Sequence, residues 1–320
     1  IPLRLVGSEM CIRDRQCTAE QIVITSGAQQ AISLCAQLLV EPGDGVAVEN
    51  PGYRAAGHAF ALAGARLHGV PVDSEGLDCQ VLNALHDCRV AYVTPSHQYP
   101  LGVVMSLARR LELLAWAERT GGWIVEDDYD GEYRYSGAPL SPLAALDRSG
   151  RVLYVGTFGK VAFPALRLGY LVLPPALVQA FTRRRAVDMR HSEVSTQAVM
   201  AEFMAAGHFQ RHIRRMRRAA LSRRNALLAG WPDGLPGVGA LPSVAAGLHL
   251  TVRVDSLARE QTLLAQAHAA NVEINGLSSY WLACTSPPPD QRAGLVMGFA
   301  AVPEAAIAQA LARLRQAWQA

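Results

Sequence analysis

The sequence predicts an α/β fold, with a large, mostly parallel, doubly wound sheet followed by a smaller α+β unit. Three observations carry this. Short apolar runs alternate with helix-period segments from Gln21 to Leu173, the pattern of successive βαβ units. The composition shifts after Pro174-Pro175, and 11 arginines stand against three acids between Arg183 and Arg224. A Gly- and Pro-rich stretch, Trp231 to Gly247, then leads into a second, shorter alternation of strand and helix.

Taken in order, a strand expected over 21 to 25 turns at Ser26-Gly27 into a helix whose apolar residues Ala31, Ile32, Leu34, Cys35, Leu38 and Leu39 share one face, stopped by Glu41-Pro42-Gly43-Asp44. A strand over 46 to 49 breaks at Pro51-Gly52, a helix follows over 53 to 63, and another strand over 66 to 72. Strands are expected at 90 to 94 and 123 to 126, with Ser106 capping the helix between them. Strands at 152 to 156 and 168 to 173 complete the series. The second unit reads as a strand (248 to 254), a helix (257 to 270), a strand (294 to 300) and a closing helix with Ile307, Leu311, Leu314 and Trp318 on one face. The expected division is 16–205 for the large unit and 206–320 for the interdomain helix and small unit. Residues 1–15 show neither period, and Val6 to Arg15 (VGSEMCIRDR) reads as a non-native translated end.

Half of the 320 residues are hydrophobic and 18% are charged, which excludes a disordered scaffold. A net charge of +3 is too small to argue for nucleic acid. The six cysteines show no CxxC spacing, so neither a disulfide framework nor a metal knuckle is expected. No apolar run reaches the roughly 18 residues of a membrane span, and a cytoplasmic location is expected. There is no complete GxGxxG, Walker loop or GxSxG elbow.

Three features lie where strands hand over to loops, where doubly wound sheets bind ligands. In Thr25-Ser26-Gly27-Ala28-Gln29 the N–H groups of Ala28 and Gln29 would face an anion at a positive helix end, or the turn is an ordinary capped helix. Glu126 to Glu132 (EDDYDGE) ends an apolar strand in carboxylates. It lacks the bidentate Glu of a calcium loop, which leaves a magnesium site for phosphoryl transfer, or an inward carboxylate, most simply Asp127, paired with a buried cation. Lys160 is the only lysine among 30 cationic side chains. Desolvation in its apolar segment would free a neutral amine for imine chemistry, which arginine cannot perform; otherwise it is a surface lysine.

The segments ITSGAQQA, ENPGYRA, VTPSHQYPLGVVMS, VEDDYDGEYRY, GTFGKVAFPALRLGYLVLP and GHFQRHIRRMRR, in this order from about Cys17 onward, resemble the aminotransferase-like domain of MocR-type regulators of the GntR family, within the fold-type I pyridoxal-phosphate-dependent aminotransferases. The resemblance implies pyridoxal 5′-phosphate carried on Lys160. Asp127 would hold the pyridine nitrogen protonated, Tyr129 would approach the 3-oxygen, and Tyr53 would stack on the ring. Ala28 and Gln29 would take the phosphate with Arg167 and Thr157, and Tyr99 would be a further contact. It implies a homodimer sensing a small amino compound through an aldimine, with DNA reached only through a winged helix outside this chain. The alternative is a free-standing class I/II aminotransferase that moves an amino group from an amino acid to a 2-oxo acid.

The chain departs from the family pattern in having Gly159 where a phosphate-binding Ser is usual, and Val296 where aminotransferases place a carboxylate-binding Arg. His208 and His212 share a helix face without a third ligand, and read as ordinary histidines. Arg211, Arg214, Arg215 and Arg218 form a stripe read as solvated or dimer-facing.

Overall fold

A computed structural model describes residues 17–137, 141–190, 193–232, 234–282 and 289–319. The doubtful residues 1–15 lie outside the described residues. The larger sheet is built from β1 (Ile22–Thr25), β2 (Gly45–Asn50), β3 (Arg66–Asp73), β4 (Gly76–Leu77), β5 (Cys88–Val93), β6 (Trp123–Asp128), β7 (Val152–Thr157) and β8 (Gly169–Val172). Their order is β1-β8-β7-β6-β5-β2-β3-β4. The ladders β3/β2, β2/β5, β5/β6 and β6/β7 are parallel, whereas β8 runs antiparallel to both β7 and β1, and β4 antiparallel to β3. The central strands are buried over most of their length because helices cover both faces.

The crossovers are α1 (Ala28–Leu39), α2 (Arg54–Leu62), the short α3 (Cys79–Asn83), α4 (Leu107–Thr120) and α5 (Leu143–Leu146). Helix α1 buries Ala31, Ile32, Leu34, Cys35, Ala36 and Leu39 against Val46, Val90, Val125, Val155 and Leu171 of the sheet. As expected, Ser106 caps α4, its side chain accepting the Arg109 N–H, and Gly121 closes the helix in the left-handed conformation.

The arginine-rich segment forms α6 (Val178–Met189), α7 (Val194–Ala205) and the 23-residue α8 (His208–Gly230). Beyond it, β9 (His249–Arg253), α9 (Leu257–Ala269), β10 (Asn275–Gly276), α10 (Pro289–Arg292), β11 (Gly294–Gly298) and α11 (Glu304–Gln319) build a three-stranded antiparallel sheet of order β10-β11-β9 with helices packed on it. Ile307, Leu311, Leu314 and Trp318 of α11 are all buried there, as their spacing predicts. Among the described residues, no helix is long and apolar enough to cross a membrane.

Candidate functional site

A cavity of about 310 Å³ opens at the carboxyl ends of the central strands and is lined by residues of β5, β6 and β7, the start of α1, and the turn between β7 and β8. Eight of the nine sequence-predicted site residues line it: Ala28, Tyr53, Tyr99, Asp127, Tyr129, Thr157, Lys160 and Arg167. Gln29 sits just outside the lining, where its side-chain oxygen accepts the Tyr53 hydroxyl at 3.1 Å and its amide nitrogen donates to the Ala55 carbonyl at 3.1 Å.

One end of the cavity is cationic. Helix α1 begins at Ala28, and its N-cap, Gly27, has φ +90° and no side chain to satisfy the first-turn N–H groups. The Arg167 guanidinium lies beside this turn, with Nη2 donating to the Ser26 carbonyl at 3.0 Å. Thr157 ends β7, and its hydroxyl accepts the Gly159 N–H at 3.1 Å.

The other end is acidic. Side chains alternate across β6, and the acidic run therefore diverges. Glu126 accepts the N–H groups of Leu143 and Ala144 at 2.9 Å each, and Asp128 accepts the Tyr154 hydroxyl at 2.7 Å. Asp127 alone of these three lines the cavity, so the run does not assemble a shared magnesium site. The inward carboxylate expected of Asp127 is present, but its partner is not a cation. The Tyr92 hydroxyl donates to Oδ2 at 2.6 Å, while Oδ1 is buried with no hydrogen-bond partner. Burial raises the Asp127 pKa to about 7; the Tyr92 hydrogen bond opposes the rise, Asp128 and Asp130 add to it, and the charge of Lys160 also opposes it.

Lys160 departs from expectation in one respect. The apolar neighbours Phe158 and Val161 are buried, but the lysine itself is exposed at the cavity wall. The turn directs those two side chains into the core and leaves the lysine outside it.

Aromatic residues form the remaining walls. Tyr99 meets Tyr53 and Tyr129 edge-on at 6.2 and 6.0 Å between centroids, and its hydroxyl lies 3.0 Å from that of Tyr280, which arrives from beyond β10. Behind the cavity, Glu49 is buried with its pKa raised to about 7 by burial; its Oε2 accepts the Thr94 hydroxyl at 2.5 Å. Sequence reasoning missed Tyr92, Thr94, Glu49, Tyr280 and His249. The available signal for Tyr92 and Glu49 was a polar end inside an otherwise apolar strand, which demands a partner.

The two histidines of α8 hold no ligand set: His212 bonds the Val161 carbonyl at 2.7 Å and His208 stacks on Phe203. Arg211, Arg214, Arg215 and Arg218 are exposed in the single chain, which fits a solvated and a dimer-facing stripe alike.

Comparison with known proteins gives four consistent findings. The family model described as aminotransferase class I and II matches residues 13–314. The chain is 35% identical over 308 residues to the probable rhizopine catabolism regulatory protein MocR of Rhizobium meliloti, covering 96% of this chain and 61% of that protein. It is 33% identical over 299 residues to the pyridoxine biosynthesis transcriptional regulator PdxR of Corynebacterium glutamicum, covering 93% and 63%. Among solved structures, kynurenine aminotransferase of Pyrococcus horikoshii, in complex with PMP, superposes with a TM-score of 0.87 at 29% identity, covering 99% of this chain and 80% of that one. The chain thus spans under two thirds of the length of these two regulators.

Proposed function

Because the chain belongs to the class I and II aminotransferase family, we propose that its cavity binds pyridoxal 5′-phosphate and that the bound cofactor serves to recognise a small amino compound, in the effector-sensing part of a MocR-type regulator. The observation that carries the cofactor assignment is the buried, unpartnered Oδ1 of Asp127. A carboxylate left so is costly, and a protonated pyridine nitrogen is the kind of donor that would complete it.

In this reading Lys160 is the covalent anchor and Asp127 holds the ring nitrogen in its protonated form. The Tyr129 hydroxyl faces the 3-oxygen, Tyr53 covers one ring face, and Tyr99 is a further contact. The N–H groups of Ala28 and Gln29, the hydroxyl of Thr157 and the guanidinium of Arg167 receive the phosphate. When bound, the cofactor supplies an electron-withdrawing ring in conjugation with the amine it carries. A second copy of the chain is expected to complete the assembly, with DNA contacted through a winged-helix segment of the longer protein. The regulator reading is supported by the identity to MocR and PdxR over more than nine tenths of this chain.

The rival reading, an aminotransferase in its own right, is favoured by the likeness to kynurenine aminotransferase and by the exposure of Lys160 in the cavity, which leaves its amine free to carry a proton. The shared premise is tested by adding pyridoxal phosphate and recording the visible spectrum. A band that forms in the parent and is absent in Lys160→Ala is expected; an identical band in both overturns the assignment. The two readings then separate by turnover. A sensor changes spectrum with an amino compound and stops there, whereas an enzyme also releases a 2-oxo acid catalytically.

A further inference from the structure

His97, Asp130 and His249 are the one group among the described residues with three metal-type ligand atoms close together, all within 4.8 Å, and all three are buried. Their hydrogen bonds point to a different use. His97 Nδ1 lies 2.9 Å from Asp130 Oδ2 and 3.1 Å from the Tyr129 hydroxyl, and that hydroxyl donates to the His97 carbonyl at 2.9 Å. Tetrahedral zinc between the first pair would hold the two atoms about 3.3 Å apart. His249 is already engaged, its Nε2 lying 3.0 Å from the Pro100 carbonyl, and burial, aided by His97, lowers its pKa to about 3.

We propose that His97 and Asp130 form a positioning pair for Tyr129, fixing its hydroxyl at the cavity wall and keeping its proton available to an anionic oxygen bound there. This rests on the cofactor reading above, in which that oxygen is the cofactor's 3-oxygen. The Asp130 carboxylate selects the His97 tautomer with hydrogen on Nδ1. That N–H also faces the phenol oxygen, so Tyr129 receives a hydrogen bond from behind, and its own O–H, which donates to the His97 carbonyl, gains an alternative acceptor in an anionic oxygen bound in the cavity, the chain of donors strengthening each link. Burial, with Asp130 and Asp127 adding to it, pushes the Tyr129 pKa well above its usual value, which keeps the phenol a donor. The slot for the His97 ring depends on Gly247, where φ is +89° and a Cβ would fall 1.9 Å from the ring.

The other titratable and charged groups around Tyr129 are Asp127, Tyr99 and Lys160 on the cavity side, His249 on β9, and Arg110 and Arg134, which border a cavity of about 40 Å³ beside His97 and Asp130. A hydrogen bond donated to the 3-oxygen favours the form carrying more negative charge there. It therefore lowers the pH at which the bound cofactor's visible spectrum changes.

The test is a spectrophotometric pH titration of the full chain loaded with pyridoxal phosphate. Asp130→Asn presents an amide N–H to Nδ1, reverses the tautomer, and makes His97 an acceptor that draws the Tyr129 proton away. The midpoint is expected to rise by about one unit, a tenfold change in proton affinity. In a Tyr129→Phe background the same substitution is expected to add nothing. His97→Phe, which keeps a ring in the slot, carries the same prediction should Asp130→Asn fail to fold. An unchanged midpoint overturns the pair, and so does an equal shift with and without the Tyr129 hydroxyl. A parent protein that forms no band with pyridoxal phosphate overturns the cofactor reading instead, so the two failures are distinct.

Discussion

Asp127 keeps its proton to about pH 7 because burial outweighs the hydrogen bond from Tyr92. Its pKa is raised on folding, so its contribution to stability is complete below about pH 4, the unfolded value, and is lost as pH rises to about 7. The protein without cofactor is therefore expected to lose stability between pH 4 and 7, by roughly 4 kcal/mol from this group, as read in urea melts across that range. Asp127→Asn should flatten part of the slope, with Glu49, raised to about 7 by the same burial, supplying the remainder. The same variant should lose its hold on the cofactor, which separates function from stability at one side chain. At Gly159 the nearest atom to an added Cβ is Thr157 Oγ1 at 3.4 Å, an ordinary contact. Gly159→Ser should therefore fit and bring a hydroxyl to the phosphate, tightening binding about tenfold in an equilibrium titration. Lys160 was legible in the sequence because composition isolates it. Tyr92 was not, because a tyrosine in an apolar strand reads as core until the carboxylate 35 residues on is seen beside it.

The elements were legible where their period was long. The strands of the larger sheet other than β4 and the helices α1, α4, α9 and α11 fall within a few residues of their expected positions, since each buries several apolar side chains in the core. The two-residue β4 and five-residue α3 were missed because neither spans enough of a period to register. The reversal of β8 was illegible for another reason: ladder direction is set by the connection, and here the loop over 158–168, with the 3-10 segment Pro164–Leu166, brings the chain back without a crossover helix. The β1–α1 junction is the element with least tolerance. Gly27→Ala at φ +90° should cost about 1 to 2 kcal/mol in thermal melts, and weaken cofactor binding further by tilting the first-turn N–H groups.

At the scale of the molecule, the cavity wall is held from two sides. Tyr99 and Pro100 leave the larger sheet but are fastened to the smaller one by Tyr280, His249 and Thr251, contacts that span some 150 to 180 residues of sequence and that no local pattern foretells. Pyridoxal phosphate at about 100 times its dissociation constant should stabilise the fold by about 2.7 kcal/mol. Hydrogen exchange should show β9 gaining protection together with β6; protection confined to β6 would mean that the smaller sheet does not share in the binding. The exposed, solitary Lys160 also determines where this chain can be cut. A lysine-specific protease has a single point of attack in this chain, midway along it, and a cofactor fixed there by borohydride reduction would remove it. Cleavage into two equal fragments would report an empty cavity, and an uncut chain a filled one, on an ordinary gel.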